Sequence, residues 1–144
     1  MSPLDNVVIC DFPEISEPHR GVLTVIEEGS LPFPFPFPVR RVFYIYDVPS
    51  GISRGGHSHK SNTQLLVCLR GTLDLCLTDG RKTMDVHLDN PCKGIIIPPD
   101  VWNDLRGFSE STILLVLCSE PYNKSGYIND FEEFKNWIDT RYAD

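Results

Sequence analysis

Arg54-Gly-Gly-His57-Ser-His59-Lys60-Ser-Asn-Thr-Gln64-Leu-Leu-Val-Cys-Leu-Arg70-Gly71 gathers two glycines, a His-x-His unit, an apolar run of strand length and a closing glycine into one stretch. The run Gln64–Arg70 is too short for a typical helix, dominated by bulky apolar residues, and bounded by turn formers, so it is expected to be a strand. Beyond Gly71 the same grammar repeats in Thr72–Leu77, then Thr78-Asp79-Gly80, a hairpin turn signal, and then Thr83–Leu88. Further out lie Val42–Val48 on one side and Gly94–Ile97 and Thr112–Cys118 on the other. Short strands separated by turns, without helical periodicity between them, predict an antiparallel sandwich or barrel rather than alternating βαβ units. The fold class is therefore all-β.

Residues two apart on an extended segment share a face, so His57 and His59 point together, either into the molecule or out of it. If they point inward, two imidazoles share one pocket. The remaining histidines, His19 and His87, have no such neighbours in sequence.

The two ends of the chain read differently from its middle. Leu31-Pro-Phe-Pro-Phe-Pro-Phe-Pro38 alternates prolines with phenylalanines and is expected to be extended, packed either on its own barrel or over a neighbouring subunit. Near the C-terminus Asn129 can cap a helix with Glu132 three residues on, and Phe131, Phe134, Trp137, Ile138 and Arg141 follow at helical spacing. A helix over about 129–142 packing its apolar stripe on the barrel is the expectation.

With 144 residues the chain has room for one domain, and 41% hydrophobic content is ordinary for a globular core. A formal charge of −7 argues against a surface tracking a nucleic-acid polymer, while leaving a single nucleotide ligand possible. Five cysteines occur without a C-x-x-C pair, and Cys68, Cys76 and Cys118 sit in apolar strand-like runs, as expected of reduced thiols in a cytoplasmic protein. No apolar run approaches the length of a membrane span.

Gly51 or Gly55, His57, His59 and Gly71, followed by Gly94, Pro98 and Pro99, resemble the two cupin motifs, which implies a double-stranded β-helix or jelly-roll barrel. Where metal-binding cupins place a glutamate ligand this chain has Gln64, and the histidine of the second motif falls near Trp102 and Asn103. Two imidazoles without a carboxylate or third histidine leave the first shell of a catalytic metal incomplete, so no metal and no cofactor are expected. Proton transfer is the chemistry left to such a pair.

The resemblance narrows on Arg41-Val-Phe-Tyr-Ile-Tyr-Asp47, Arg54-Gly-Gly-His-Ser-His-Lys60, Gln64–Gly71, Val101-Trp-Asn-Asp104 and Tyr127-Ile128. In this order the five segments are similar to the dTDP-4-keto-6-deoxyglucose 3,4-ketoisomerases. That family implies a metal-free homodimeric cupin acting on a dTDP-linked keto sugar on the way to unusual amino sugars, with His57 and His59 at its active site. The chain departs from it at Phe43, at Asn103-Asp104 and at Gly126 and Asn129; Asn103 lies where members of the family differ in the C4 epimer they release. A 3,5-epimerase-like cupin and a non-enzymatic nucleotide-sugar-binding cupin are the alternatives.

Moving a ketone from C4 to C3 requires a base for the C3 proton, an enediol and a proton for C4, with donors for the developing oxyanion. His57 and His59 are the expected proton-transfer groups. Arg54, Tyr44 and Asn103 are the candidate donors, with a solvated loop arginine and a plain core aromatic as the ordinary readings of Arg54 and Tyr44. Trp102 is expected to wall the pocket, and Asp104 to orient a histidine or hold a sugar hydroxyl. Arg20, Arg41 and Lys60 are the cations available to the diphosphate.

Overall fold

A computed structural model describes residues 2–27 and 37–143. Most of the Pro-Phe segment lies outside the described residues, so its expected packing is not addressed by the structure. From its end, Phe37 is buried with Cys10, Phe12, Leu65 and Val67.

The strands are β1 (Val8–Asp11), β2 (Glu14–Glu17), β3 (Gly21–Thr24), β4 (Arg41–Tyr46), β5 (Arg54–His59), β6 (Gln64–Arg70), β7 (Leu73–Thr78), β8 (Thr83–Leu88), β9 (Lys93–Ile97), β10 (Trp102–Arg106), β11 (Ile113–Cys118) and β12 (Tyr127–Ile128). One helix, α1 (Phe131–Arg141), follows. They form two five-stranded sheets, β1-β9-β6-β11-β4 and β12-β5-β10-β7-β8, plus the separate hairpin β2-β3. Strand β7 pairs with β8, β6 with β9, β5 with β10 and β4 with β11, all antiparallel. This nesting is one long hairpin folded about the Thr78-Asp79-Gly80 turn, with successive pairs falling on alternate sheets. It is the jelly-roll arrangement of the cupins.

The turn at the centre of the nest is well satisfied. Gly80 has φ +92°, and the Asp79 carboxylate accepts from the backbone N–H groups of Arg81 and Lys82, both at 2.8 Å. Between the sheets, Leu66 and Cys68 of β6, Leu73, Leu75 and Leu77 of β7, Ile95 and Ile97 of β9, and Leu114 and Val116 of β11 make the main core. Their alternation with outward residues is what a sandwich requires. A second cluster lies on the outer face of the first sheet under Cys10, Phe12 and Phe37.

Helix α1 closes the outer face of the second sheet, where Phe134 and Ile138 meet Trp102 and Ile128. Its cap is Asp130, whose carboxylate accepts from the Glu133 N–H at 3.2 Å, rather than Asn129 with Glu132. Asn129 lies just outside β12, one residue before the turn into the helix. The expected span 129–142 shortens to Phe131–Arg141 accordingly.

Candidate active site

The open end of the sandwich encloses a cavity of about 390 Å³ lined by Arg41, Arg54, His57, Gln64, Asn103, Tyr122 and Tyr127 over an apolar base that includes Phe43, Ile45, Leu66 and Val116. Strand register assembles it. Arg41 and Gln64 flank Cys118 in one row of the first sheet, and His57 faces Asn103 across β5 and β10 in the second. β12 adds to the free edge of β5 and pairs Tyr127 with His59.

A bulge aims the histidines. Asn103 pairs with His57 while the next residue, Asp104, pairs with Gly55, so β5 carries one extra residue, Gly56. Gly55 and Gly56 both have positive φ, +80° and +74°. A Cβ at Gly55 would stand 2.7 Å from Asn103 Oδ1 and 2.9 Å from its carbonyl oxygen, so position 55 admits only glycine without displacement. Beyond the bulge, His57 and His59 share a face, their rings edge to face with centroids 5.0 Å apart.

Tyr127 stands against both imidazoles, its ring centroid 5.0 Å from His57 and 4.5 Å from His59. Arg41 Nη2 donates to the Tyr127 hydroxyl at 2.8 Å, while the guanidinium also lies over the rings of Phe43 and Tyr122. His59 is the deeper ring, only 5% exposed, and borders a narrow cleft beside the cavity. Two buried nitrogens here, His59 Nε2 and Arg41 Nε, have no hydrogen-bond partner among the described residues. Such groups are rare unless a ligand or water meets them.

Burial lowers the pKa of His57, with Arg41 acting in the same direction. His59 is pushed from 6.5 down to about 3, first by burial and then by the neighbouring His57 and Arg41, with a contact to the Gln64 side chain opposing. Both imidazoles are therefore neutral at pH 7, in the form that accepts a proton. Among the described residues that line the cavity there is no carboxylate, and no group of three or more His, Cys, Asp and Glu is placed to hold a metal.

The chain is similar to known proteins in sequence and in fold. The family model described as FdtA: WxcM-like, C-terminal, matches residues 5–139. The chain belongs to the FdtA/WxcM-like family. A relative of this WxcM-like chain, 37% identical over 94% of both proteins, is the TDP-4-oxo-6-deoxy-α-D-glucose-3,4-oxoisomerase of Aneurinibacillus thermoaerophilus. Among solved structures, the sugar 3,4-ketoisomerase QdtA from Thermoanaerobacterium thermosaccharolyticum in complex with TDP superposes with a TM-score of 0.88 at 35% identity, covering 96% of this chain and 98% of that one. A 3,4-ketoisomerase from Helicobacter canadensis gives 0.87 at 33% identity, covering 93% and 98%.

Of the residues singled out in the sequence of this WxcM-like protein, the fold brings Arg41, Arg54, His57 and Asn103 to one cavity, with His59 beside it. Five others lie elsewhere. Tyr44 is 63% exposed and stacks on Tyr46, because parity along β4 turns Arg41, Phe43 and Ile45 inward and Tyr44 outward. The same alternation along β10 sends Asn103 to the cavity and Trp102 and Asp104 to the opposite face. There Trp102 packs on Phe131 and Phe134, and Asp104 accepts from the Trp102 indole N–H and pairs with Arg106. Arg20 is exposed at the β2-β3 hairpin and pairs with Glu17, and the Lys60 ammonium sits over the Trp137 ring.

Tyr122 and Tyr127 also line the cavity, and neither is assigned a role from the sequence. Tyr127 carries a signal only through the resemblance, and Tyr122 sits in a loop without one. Behind the site, Asp100 is buried and accepts from Trp137 Nε1, Arg141 Nε and the Tyr142 hydroxyl, while its own N–H donates to the His59 carbonyl at 2.9 Å. The helix is thereby tied to the end of the histidine strand. His87, isolated in sequence, has Asp74 across the strand at 2.7 Å on the exposed outer face.

Proposed function

We propose that this chain is a TDP-sugar 3,4-ketoisomerase that moves the keto group of a TDP-4-keto-6-deoxyhexose from C4 to C3. The observation that carries the reading is a pair of buried, same-face imidazoles, His57 and His59, at a cavity with no carboxylate among the described residues that line it; burial lowers the pKa of both. A neutral imidazole accepts the proton α to a ketone, and the imidazolium so formed returns it to the adjacent carbon. His57 lines the cavity and is assigned the carbon-bound proton; His59, deeper and held by its contacts, orients His57 and the sugar. Arg54 and Asn103, which line the cavity, are assigned as donors to sugar oxygens.

Arg41 serves the diphosphate or the sugar oxygens from the cavity wall. Arg20 and Lys60, outside the cavity of their own chain, are not assigned to substrate. The C4 epimer released is set around Asn103, whose amide donates to the His57 carbonyl at 3.3 Å and so fixes the side chain against the catalytic ring. The 3,5-epimerase alternative is disfavoured by a site that places no aspartate beside either histidine within the cavity.

The protein is further proposed to work as a homodimer in the cytoplasm. Val42, Tyr44 and Tyr46 form an exposed apolar strip on the edge strand β4, and Ile15, Val22 and Leu23 are exposed on the β2-β3 hairpin. All five cysteines are free, as in a reducing compartment.

Incubation with TDP-4-keto-6-deoxyglucose in deuterated water tests the activity. A 3-keto product is expected, labelled at C4 to the extent that the His57 imidazolium exchanges its proton with solvent before returning it; label at C3 and C5 with the 4-ketone retained would make the chain an epimerase, and unchanged, unlabelled substrate would make it a binding protein. His57→Asn and His59→Asn are each expected to lower turnover at least about tenfold with folding retained.

A further inference from the structure

The ketoisomerisation requires two proton movements. One is carbon-bound, from C3 to C4, and falls to His57. The other is oxygen-bound, because the C3 hydroxyl must lose a proton and the C4 oxygen must gain one. The second movement needs a group that both donates and accepts, beside a stabilising positive charge. Arginine donates only, so Arg41 and Arg54 do not qualify. Asn103 and Gln64 carry primary amides, which can hydrogen-bond a sugar oxygen but neither give up nor take a proton near neutral pH. His59 borders the adjoining cleft rather than the cavity.

Tyr127 meets every requirement. Its ring lies against His57 at 5.0 Å and lines the same cavity. Its oxygen accepts from Arg41 at 2.8 Å, which leaves its own O–H without an acceptor among the described residues. We infer that Tyr127, with Arg41 behind its hydroxyl, is the acid–base relay for the two substrate oxygens. This deepens the ketoisomerase reading and rests on it.

The step balances without a further reactant. As His57 takes the C3 proton, the C3–H electron pair forms the C3=C4 bond and the C4=O pair moves to O4, which takes the Tyr127 proton. The phenolate, facing the Arg41 guanidinium, then takes the proton of the C3 hydroxyl as C3=O forms, and the C3=C4 pair takes the proton back from His57 at C4. Both side chains end as they began.

Tyr127→Phe keeps the ring between the imidazoles and removes only the oxygen. Its kcat for 3-keto product is expected to fall by about 10²-fold or more, the cost of one lost donor to a developing oxyanion, while the Kd for TDP stays within about twofold. In deuterated water the ratio of C3 exchange in unreacted substrate to product formed should rise above the wild-type ratio, because the enediolate returns to substrate more often than it proceeds. Arg41→Gln, which withdraws the charge from behind the phenol, should raise the same ratio. A Tyr127→Phe kcat within about threefold of wild type, or a loss confined to TDP affinity, overturns the inference. Wild-type protein that yields no 3-keto product at all sinks the ketoisomerase reading, and this inference with it.

Discussion

The proton transfer proposed for His57 requires an uncharged imidazole, and the surroundings of both His57 and His59 disfavour the charged form. Burial is the main cause for both, and Arg41 adds to it because a cation beside an imidazole penalises the imidazolium. For the free enzyme, the acid limb of kcat/KM reports the base, so with His57 lowered it should lie below pH 6.5 rather than at it. A limb at or above 6.5 would mean that another group is titrating. Stability follows the same sign. Between 6.5 and about 3 the unfolded chain binds a proton at His59 that the folded chain does not, so stability is full above 6.5 and is lost as pH falls toward 3. Carboxylates add their own acid dependence, so the informative quantity is a difference. His59→Gln should lose less Tm than wild type between pH 7 and 4.5, and parallel melting curves over that range would contradict the assignment.

Strand parity decided which candidates reached the cavity, and it explains both what could be read from the sequence and what could not. The runs around Gln64–Arg70 and Thr83–Leu88 were legible because bulky apolar residues alternate or cluster between turn formers. β5 was not legible as a strand, because Gly55 and Gly56 carry almost no β propensity and their bulge is a tertiary feature. β10 hid behind polar residues, Asn103 and Asp104, whose neighbours decide their burial. Tyr44, Trp102 and Asp104 were placed by resemblance and by residue type, whereas their parity with Arg41 and Asn103 turns them away. The bulge itself makes a prediction. Gly55→Ala would force a Cβ to within 2.7 Å of Asn103 in a left-handed conformation, at a cost of about 1–3 kcal/mol. Because the relief would move Asn103 or His57, turnover should fall even where the variant is fully folded, at lower temperature or with bound TDP. Gly51→Ala has the same backbone penalty, with φ +80° but nothing within 4 Å of its added Cβ, and should spare kcat. Equal kcat losses in the two variants would sever the bulge from the site.

As a whole molecule the protein leaves apolar surface where a lone sandwich would hide it. β4 ends the first sheet among the described residues, none of which pairs with its outer edge, and Val42, Tyr44 and Tyr46 stand exposed along the strand. A hydrophobic edge of this kind invites pairing unless something covers it. Among the described residues the β2-β3 hairpin is paired with neither large sheet and is exposed along both strands, which leaves it available to the proposed dimer. In the proposed dimer, Tyr44 would be aromatic for a contact that does not involve the cavity. Replacing Tyr44 and Tyr46 together by lysine puts charge into the strip without touching an inward residue of β4, and sedimentation should show wild type as a dimer and the variant as monomer at micromolar concentration. Arg41 and Phe43 lie on the opposite face of the same strand, so loss of the dimer should reach the site through loosening of β4, raising KM for the sugar nucleotide more than it lowers kcat. A wild-type monomer, or a double variant that stays dimeric, would remove the strip from the interface and leave its exposure without an explanation in the assembly.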